Sequence, residues 1–228
     1  MIGIVAAMDE EIEAFKSMVP NLAYHEEDNF SYYDGKIDDE DIILIQSGIG
    51  KVGCALNLTK LIERKHPELI INIGCAGSLK KDVRVNDVVI ATKTAFYDMD
   101  VPGWEKSFDN PKINALADEK CLSIAKNIKF PYPVHFGEIA SGDSFVIKGY
   151  LTDKILKEFP TALCAEMEAG ALGRVCNSYH IPFMILRAIS DVTIEDDNEI
   201  QFDEFVISSS KRSALFTKSF IEEYHARH

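Results

Sequence analysis

The sequence predicts an α/β domain built on a buried sheet, and three observations carry that expectation. Ile181–Asp191 is a nearly continuous apolar run, too short for a comfortable helix, which is the pattern of a strand buried on both faces. Two further apolar stretches, ending at Gln46 and Ile73, run directly into glycine-rich turns. Strand-like and helix-like segments alternate along the chain with short connections and no repeat, linker or low-complexity stretch. At 228 residues, 46% hydrophobic and 27% charged, the chain is long enough for one sizeable core, so residues 1–228 are read as a single domain.

The elements follow in order. Ile2–Ala7 reads as a short strand. The helix after it carries Asp9, Glu10 and Glu11 in its first turn, where the helix dipole favours acid, and Met8, Ile12 and Phe15 give its apolar face. Phe30–Tyr33 and Asp41–Gln46 are extended, separated by the turn signals Asp34-Gly35 and Asp38-Asp39-Glu40, and are expected to pair antiparallel. The second ends in Ser47-Gly48-Ile49-Gly50-Lys51. A helix follows, with Val52, Ala55, Leu56, Thr59 and Ile62 on its predicted packing side. Strand, glycine turn, helix presents backbone N–H groups to a ligand, although no Walker or full dinucleotide fingerprint is present.

Leu69–Ile73 is the next buried strand, ending in the small-residue loop Gly74-Cys75-Ala76-Gly77-Ser78. The two glycine loops are expected to face one crevice. Asp87–Thr92 is a strand, and an irregular segment around Pro102, Gly103 and Trp104 comes later. Ile113, Leu116, Ala117, Cys121 and Ile124 mark a helix. Val134–Ala140 is a strand that runs into the turn Ser141–Val146. Thr161–Glu168 reads as extended, so that Glu166 and Glu168 share a face. A helix takes over near Gly170 with Ala171, Leu172, Val175, Cys176 and Tyr179 inward. After Asp191 comes the acidic loop Glu195–Glu199, then a helix with the stripe Phe205, Ser209, Phe216, Phe220 and Tyr224.

Composition excludes several classes of function. A net charge of −13 argues against a nucleic-acid partner, because phosphate backbones select basic patches. The five cysteines are widely spaced with no CxxC pair, as expected of buried thiols in a reducing compartment and not of a disulfide framework. The N-terminus has no basic region and runs into acid, unlike a signal peptide, and no apolar run is long enough for a membrane span. A cytoplasmic protein is expected. His25, His66, His135, His180, His225 and His228 make no metal-ligand spacing, and Ser47, Ser141 and Ser190 lack a nucleophile-elbow context.

The chemistry-bearing residues are carboxylates at element ends: Glu11, Glu166, Glu168 and Asp191. Carboxyl ends of strands open into the ligand crevice of an α/β sheet, and a desolvated carboxyl there has a shifted pKa. On the residues alone Asp191 either meets a ligand, pairs with Arg187, or caps the following turn. Glu168, between an apolar strand and an apolar helix, needs a partner. Two sugar hydroxyls or Arg187 would each supply one.

Several short motifs occur together in one order: Met-Asp-Glu-Glu-Ile (8–12), Ser-Gly-Ile-Gly-Lys-Val (47–52), Gly-Cys-Ala-Gly-Ser-Leu (74–79), Ser-Gly-Asp-Ser-Phe (141–145), Glu-Met-Glu-Ala (166–169), Arg-Ala-Ile-Ser-Asp (187–191) and Phe-Asp-Glu-Phe (202–205). In this the chain resembles the 5′-methylthioadenosine/S-adenosylhomocysteine nucleosidases of the purine nucleoside phosphorylase-like superfamily, from residue 1 to about 225. The resemblance implies a three-layer α/β/α fold with a mixed, partly barrelled central sheet, assembled as a homodimer. It implies hydrolysis of the N-glycosidic bond of adenine thioribosides, with 5′-deoxyadenosine as a further substrate, and neither cofactor nor metal. By position it makes Glu11 the base that activates water and Asp191 the acid at adenine N7, oriented by Ser190. Glu168 would bind the ribose hydroxyls beside Glu166, with Met167 packing on the sugar. Phe145 would stack on adenine and the Val146 backbone would read the base edge. Met8, Ile49, Cys75, Ala76 and Gly77 would line the sugar and water pocket, and Phe202 would close over the 5′ substituent.

The sequence departs from the family pattern at Cys75, where a serine or threonine is common, and after Val101, where Pro-Gly-Trp-Glu-Lys replaces the usual composition. Val101 and Trp104 fall where the family reaches into the neighbouring subunit's site. A phosphorolytic relative would need a phosphate site, which the acidic 8–12 segment would repel. A nucleosidase for another adenine nucleoside, such as aminodeoxyfutalosine, is the second rival. A catalytically silent nucleoside-binding protein is the third, and the presence of both Glu11 and Asp191 argues against it.

Overall fold

Alternation of apolar side chains along the strands sorts this chain into layers. The computed structural model describes residues 1–227; His228 lies outside the described residues. In chain order the elements are β1 (Ile2–Ala6), α1 (Asp9–Met18), β2 (Ala23–Glu27), β3 (Phe30–Ile37), β4 (Glu40–Gln46), α2 (Lys51–Lys65), β5 (Leu69–Asn72), β6 (Cys75–Ser78) and β7 (Val88–Phe96). They continue with β8 (Asn114–Leu116), α3 (Glu119–Asn127), β9 (Val134–Ser141), α4 (Tyr150–Glu158), β10 (Ala162–Glu166), α5 (Ala169–Tyr179), β11 (Phe183–Val192) and α6 (Asn198–His225).

The sheet order is β2-β3-β4-β1-β5-β11-β6-β10-β9-β7-β8, and β7 pairs back onto β11. Strands β11, β6, β10, β9 and β7 therefore close into a barrel, while β2 to β5 spread from it as an open wing. The pairing is mixed: β1 is parallel to β4 and β5, β11 is parallel to β5 and β6, and β7 is antiparallel to β11. The mixed, partly barrelled sheet implied by the resemblance is present.

Every residue of β11 is buried, so this strand is covered on both sides. Met184 and Leu186 join one core with Ile4, Leu44, Phe15 and Phe216. Phe183, Ile185 and Ile189 face the other, with Val5, Ile45, Leu58 and Leu172. Helices α1, α3 and α6 fill the first core and α2 and α5 the second, which gives the three layers.

Several local expectations are corrected. Strand β2 has no apolar alternation to betray it: it is a mostly exposed edge held by its ladder to β3. Strand β3 continues through Gly35 to Ile37, and the hairpin turns at Asp38, whose φ of 52° lies in the left-handed region that Asp tolerates. Residues 75–78, expected as a loop, form β6. Strand β7 extends past Thr92 to Phe96. The helix expected from Ile113 begins only at Glu119, capped by Asp118, which accepts from the Cys121 N–H. Residues 114–116 instead complete an antiparallel ladder with β7. Helix α4, with Thr152 and Ile155 buried, lies in a stretch for which the sequence pattern predicts no element. The face of α2 that packs is Cys54, Leu58, Leu61 and Ile62, whereas Val52 (79% exposed) and Leu56 (55%) point outward. Tyr179 is exposed, and Val175, Phe205 and Tyr224 are half-buried. Strand β10 ends at Glu166, and Glu168 stands at the residue before α5, without a side-chain bond to the helix, instead of extending the strand.

Candidate active site

The chain leaves β1 and turns at Ala7-Met8 into α1, whose first-turn N–H groups have no partners inside the helix. Glu11 reaches back past them to the two N–H groups just before the helix. Its Oε2 accepts from the N–H groups of Ala7 (2.8 Å) and Met8 (3.1 Å), and its Oε1 accepts from the Cys75 N–H of β6 (3.0 Å). The carboxyl is 3% exposed. Burial raises its pKa above the ordinary value, and the Arg187 charge and the three backbone donors oppose that rise. Both oxygens face donors, an arrangement that suits the ionised form. A Cβ on Gly74 would sit 2.7 Å from Glu11 Oε1, so only glycine admits the carboxyl here.

Asp191 is delivered by β11. Its pairing with β6 shifts register between Ile189 and Asp191, an irregularity that re-aims the side chain. Arg187 and Asp191 would share a face of a regular strand, and this shift breaks the parity. Asp191 instead accepts from Ser190 Oγ (2.7 Å on Oδ1) and from Asn198 Nδ2 (2.8 Å on Oδ2). Burial raises its pKa, and the hydrogen bonds from Asn198 and Ser190 oppose the rise. The two carboxyls thus move in the same direction. They differ in their surroundings: a cation and backbone donors act on Glu11, and only two side-chain donors act on Asp191.

Arg187 turns the other way. Its guanidinium, 1% exposed, bonds Glu166 Oε2 at 2.5 Å and Asn72 Oδ1 at 2.7 Å, and lies 3.7 Å from Glu168 Oε2. Burial works against its charge, and the carboxylates of Glu166, Glu168 and Glu11 more than restore it. Glu166 Oε2 also accepts from the N–H groups of Glu168 and Ala169, whereas its Oε1 is buried without a hydrogen-bond partner among the described residues, and Glu166 lines the cavity. Glu168 is freer. Its Oε1 accepts from the Gly50 N–H at 2.8 Å, so the first glycine turn holds it from across the site. Burial first, and the Glu166 charge second, raise the Glu168 pKa. The glycine turn is itself fixed by Lys51, whose N–H bonds Asp143 and whose ammonium pairs with Asp98.

These groups open onto one cavity of about 350 Å³. Glu11, Asp191, Met8, Ile49, Cys75, Ala76, Gly77, Phe145, Val146, Glu166, Met167, Glu168, Ser190 and Phe202 all line it. Phe145 and Phe202 meet edge to face with ring centroids 5.2 Å apart. Val101 and Trp104 do not line the cavity. Trp104 packs on the core of the chain beneath Lys112, and Val101 is exposed. The Cys75 thiol, pushed up by burial, lies against Ser210 Oγ at 3.4 Å, while its N–H serves Glu11. Sequence reasoning missed Asn72, Thr193 and above all Asn198. Asn198 sits in a run of acidic residues that reads as solvated loop, and nothing local marks it as buried. Among the described residues, no three His, Cys, Asp or Glu side chains are grouped to hold a metal ion.

A barrel-backed α/β sheet with buried carboxyls around one apolar cavity defines a class, and the family model described as the phosphorylase superfamily matches residues 1–222. A 5′-methylthioadenosine/S-adenosylhomocysteine nucleosidase of Haemophilus influenzae is 37% identical over 97% of this chain and 98% of its own. The crystal structure of the Neisseria meningitidis nucleosidase of that name, in complex with methylthio-immucillin-A, superposes with a TM-score of 0.89 at 32% identity, covering 97% of this chain and 98% of that one. Futalosine hydrolase of Helicobacter pylori superposes with a TM-score of 0.88 at 30% identity, covering 97% of each chain. The chain belongs to the 5′-methylthioadenosine/S-adenosylhomocysteine nucleosidase family of this superfamily.

Proposed function

We propose that residues 1–228 act as one catalytic domain that hydrolyses the N-glycosidic bond of 5′-methylthioadenosine and S-adenosylhomocysteine, and of 5′-deoxyadenosine. The products are adenine and the thioribose (5-deoxyribose from 5′-deoxyadenosine). The observation that carries the reading is the presence of two buried, differently solvated carboxyls, Glu11 and Asp191, on one apolar cavity that also holds Glu168.

Glu11, held as a carboxylate by backbone donors, takes a proton from water, whose oxygen bonds to the anomeric carbon. The bond from that carbon to N9 breaks with its electrons going to the base. Asp191 gives its proton to N7, which neutralises the leaving group. The transition state has oxocarbenium character, and the negative charge of the Glu11 carboxylate favours it. Glu168, positioned by Gly50 N–H and Arg187, receives the ribose hydroxyls beside Met167. Glu166 serves by anchoring Arg187. Phe145 stacks on the base, the Val146 backbone reads its edge, and Phe202 covers the 5′ substituent. The remaining wall, Met8, Ile49, Cys75, Ala76 and Gly77, contacts sugar and water.

The chain works as a homodimer in this reading, with Val101 and Trp104 reaching the partner's 5′ pocket. The support is an exposed apolar stripe, Ile49, Val52 and Leu56, which starts at the cavity wall and lacks cover in one subunit. Among the described residues no helix is long and apolar enough to cross a membrane. We place the enzyme in the cytoplasm, in nucleoside catabolism and methionine salvage. Likeness to futalosine hydrolase keeps a different 5′ substituent as the second reading, since the two folds superpose equally well on this one. Adenine release from a panel of 5′-substituted adenosines, with and without phosphate, tests both. Phosphate-dependent release would overturn hydrolysis, and turnover of aminodeoxyfutalosine without turnover of methylthioadenosine or S-adenosylhomocysteine would favour the second reading.

A further inference from the structure

The glycine turn that meets Glu168 has little stiffness of its own. Gly48 and Gly50 sit at φ of 75° and 92°, in the left-handed region, and a Cβ on Gly48 would meet nothing within 4 Å. Gly50 is the residue before α2 and has no side chain with which to cap it, so the N–H groups at the helix start need acceptors from elsewhere. Two carboxyls from distant segments supply them. Glu168 Oε1 takes the Gly50 N–H at 2.8 Å, and Asp143 Oδ1 takes the Lys51 N–H at 2.8 Å.

Asp143 does not line the cavity, although Ser144 and Phe145 beside it and Ile49 in the turn do. Its own N–H donates to Asp98 Oδ2 at 2.9 Å, and the same oxygen receives the Lys51 ammonium at 2.6 Å. The loop around Asp143 is held without its side chain. The Gly142 N–H donates to the Glu166 carbonyl, and the Tyr97 hydroxyl donates to the Ser144 carbonyl. The Asp143 carboxylate therefore acts on the glycine turn, and the loop gives it a fixed base to act from. We propose that Asp143 is a positioning residue for ribose recognition: by holding the Lys51 N–H it sets the Gly50 N–H that aims Glu168, and so ties the sugar side of the site to the loop that carries Phe145. The proposal rests on the assignment of Glu168 to the ribose hydroxyls given above.

A carboxylate on the N–H groups of a helix start acts as an N-cap, here supplied from another segment, and also meets the positive end of the helix dipole. Without it, a turn with two glycines in the left-handed region is free to swing the Gly50 N–H away from Glu168. Asp143→Ala removes this acceptor and a looser 3.5 Å contact with the Lys51 ammonium. The bonds of the Asp143 N–H and of the Lys51 ammonium to Asp98 remain. Asp143 is exposed, so the substitution leaves no hole in the core.

The test compares kcat/KM for 5′-methylthioadenosine with kcat/KM for its 3′-deoxy analogue, which lacks one ribose hydroxyl and keeps the 2′-hydroxyl beside the breaking bond. Taking the ratio within each variant cancels any loss of folded or assembled enzyme. Glu168→Ala sets the scale and is expected to lower the ratio most. Asp143→Ala is expected to lower it about fivefold, the usual weight of a lost cap. Asp143→Asn keeps an oxygen for the Lys51 N–H and is expected to restore most of the ratio. In the Glu168→Ala background, Asp143→Ala is expected to change the ratio by less than about twofold, because it acts through a carboxyl already lost. A wild-type ratio in Asp143→Ala, a ratio in Asp143→Asn as low as in Asp143→Ala, or additive losses in the double variant each overturn the proposal. Should Asp143→Ala fail to fold, Asp143→Glu decides. It keeps the charge but carries its oxygens one methylene too far, so the ratio is again expected to fall, and an unchanged ratio overturns the idea. If Glu168→Ala itself leaves the ratio unchanged, the ribose reading of Glu168 falls and this proposal with it.

Discussion

At the scale of single residues, the site depends on how two carboxyls are solvated. Glu11→Gln keeps the shape but turns an amide NH₂ toward either the Cys75 N–H or those of Ala7 and Met8. Turnover is expected to fall by about 10²-fold or more, because the base is lost, with a drop in melting temperature from the opposed donors. Near wild-type kcat would sink the assignment. The pH profile follows from the two shifts. Burial raises both pKa values, so activity is lost as pH falls through the raised Glu11 value and as pH rises through the raised Asp191 value. The acid limb is expected above the ordinary carboxylate range; a limb at an ordinary glutamate value would contradict the buried environment. Asp191→Asn offers an N–H to N7 but no proton. It is expected to bind adenine, lose most turnover with adenine substrates, and lose much less with a substrate whose base leaves without N7 protonation. Equal slowing of both would make Asp191 structural.

At the scale of elements, β6 shows why part of the site escapes the sequence. Gly74, Cys75, Ala76, Gly77 and Ser78 carry little apolar signal and read as a loop, whereas residues 75–78 form a strand that two carboxyls can approach. A Cβ on Gly77 would lie 2.5 Å from Thr193 Cγ2 and 2.9 Å from Asp191 Oδ2. Gly77→Ala is therefore expected to cost about 1–3 kcal/mol of stability and to displace Asp191, lowering kcat at least about tenfold. Adding Thr193→Ser removes the clashing methyl and should restore melting temperature more than activity. Recovery of both together would show that the glycine serves packing alone. Helix α2 teaches the converse. Its apolar residues are visible in the sequence, but two faces compete, and periodicity cannot say which one meets the core.

At the scale of the whole molecule, the proposed dimer links the exposed stripe on α2 to the 5′ pocket. Val52→Asp, at a side chain 79% exposed in one subunit, is expected to leave the fold intact and shift sedimentation from dimer to monomer, with loss of activity. A fully active monomer would refute the link. Trp104→Ala is expected to raise KM more for long 5′ substituents than for adenosine. An equal rise for all substrates would confine Trp104 to its own subunit, where it already packs on the core under Lys112.

The sequence by itself determined the α/β class and the buried central strand 181–191, through the alternation of elements and one apolar run, and it put carboxyls at element ends at Glu11, Glu166, Glu168 and Asp191. The other proposed cavity residues rest on the family resemblance that seven short motifs carry together. Tertiary structure alone decided the pairing of charges and the fate of small or polar segments. Arg187 went to Glu166 because a register shift separates it from Asp191. Residues 75–78 became a strand because β10 and β11 flank them. Asn198 was buried because the loop after Phe145 and the end of β11 meet at its side chain. Contacts of this kind join residues far apart in the chain, and no periodicity within a segment records which distant group will satisfy a buried donor or acceptor.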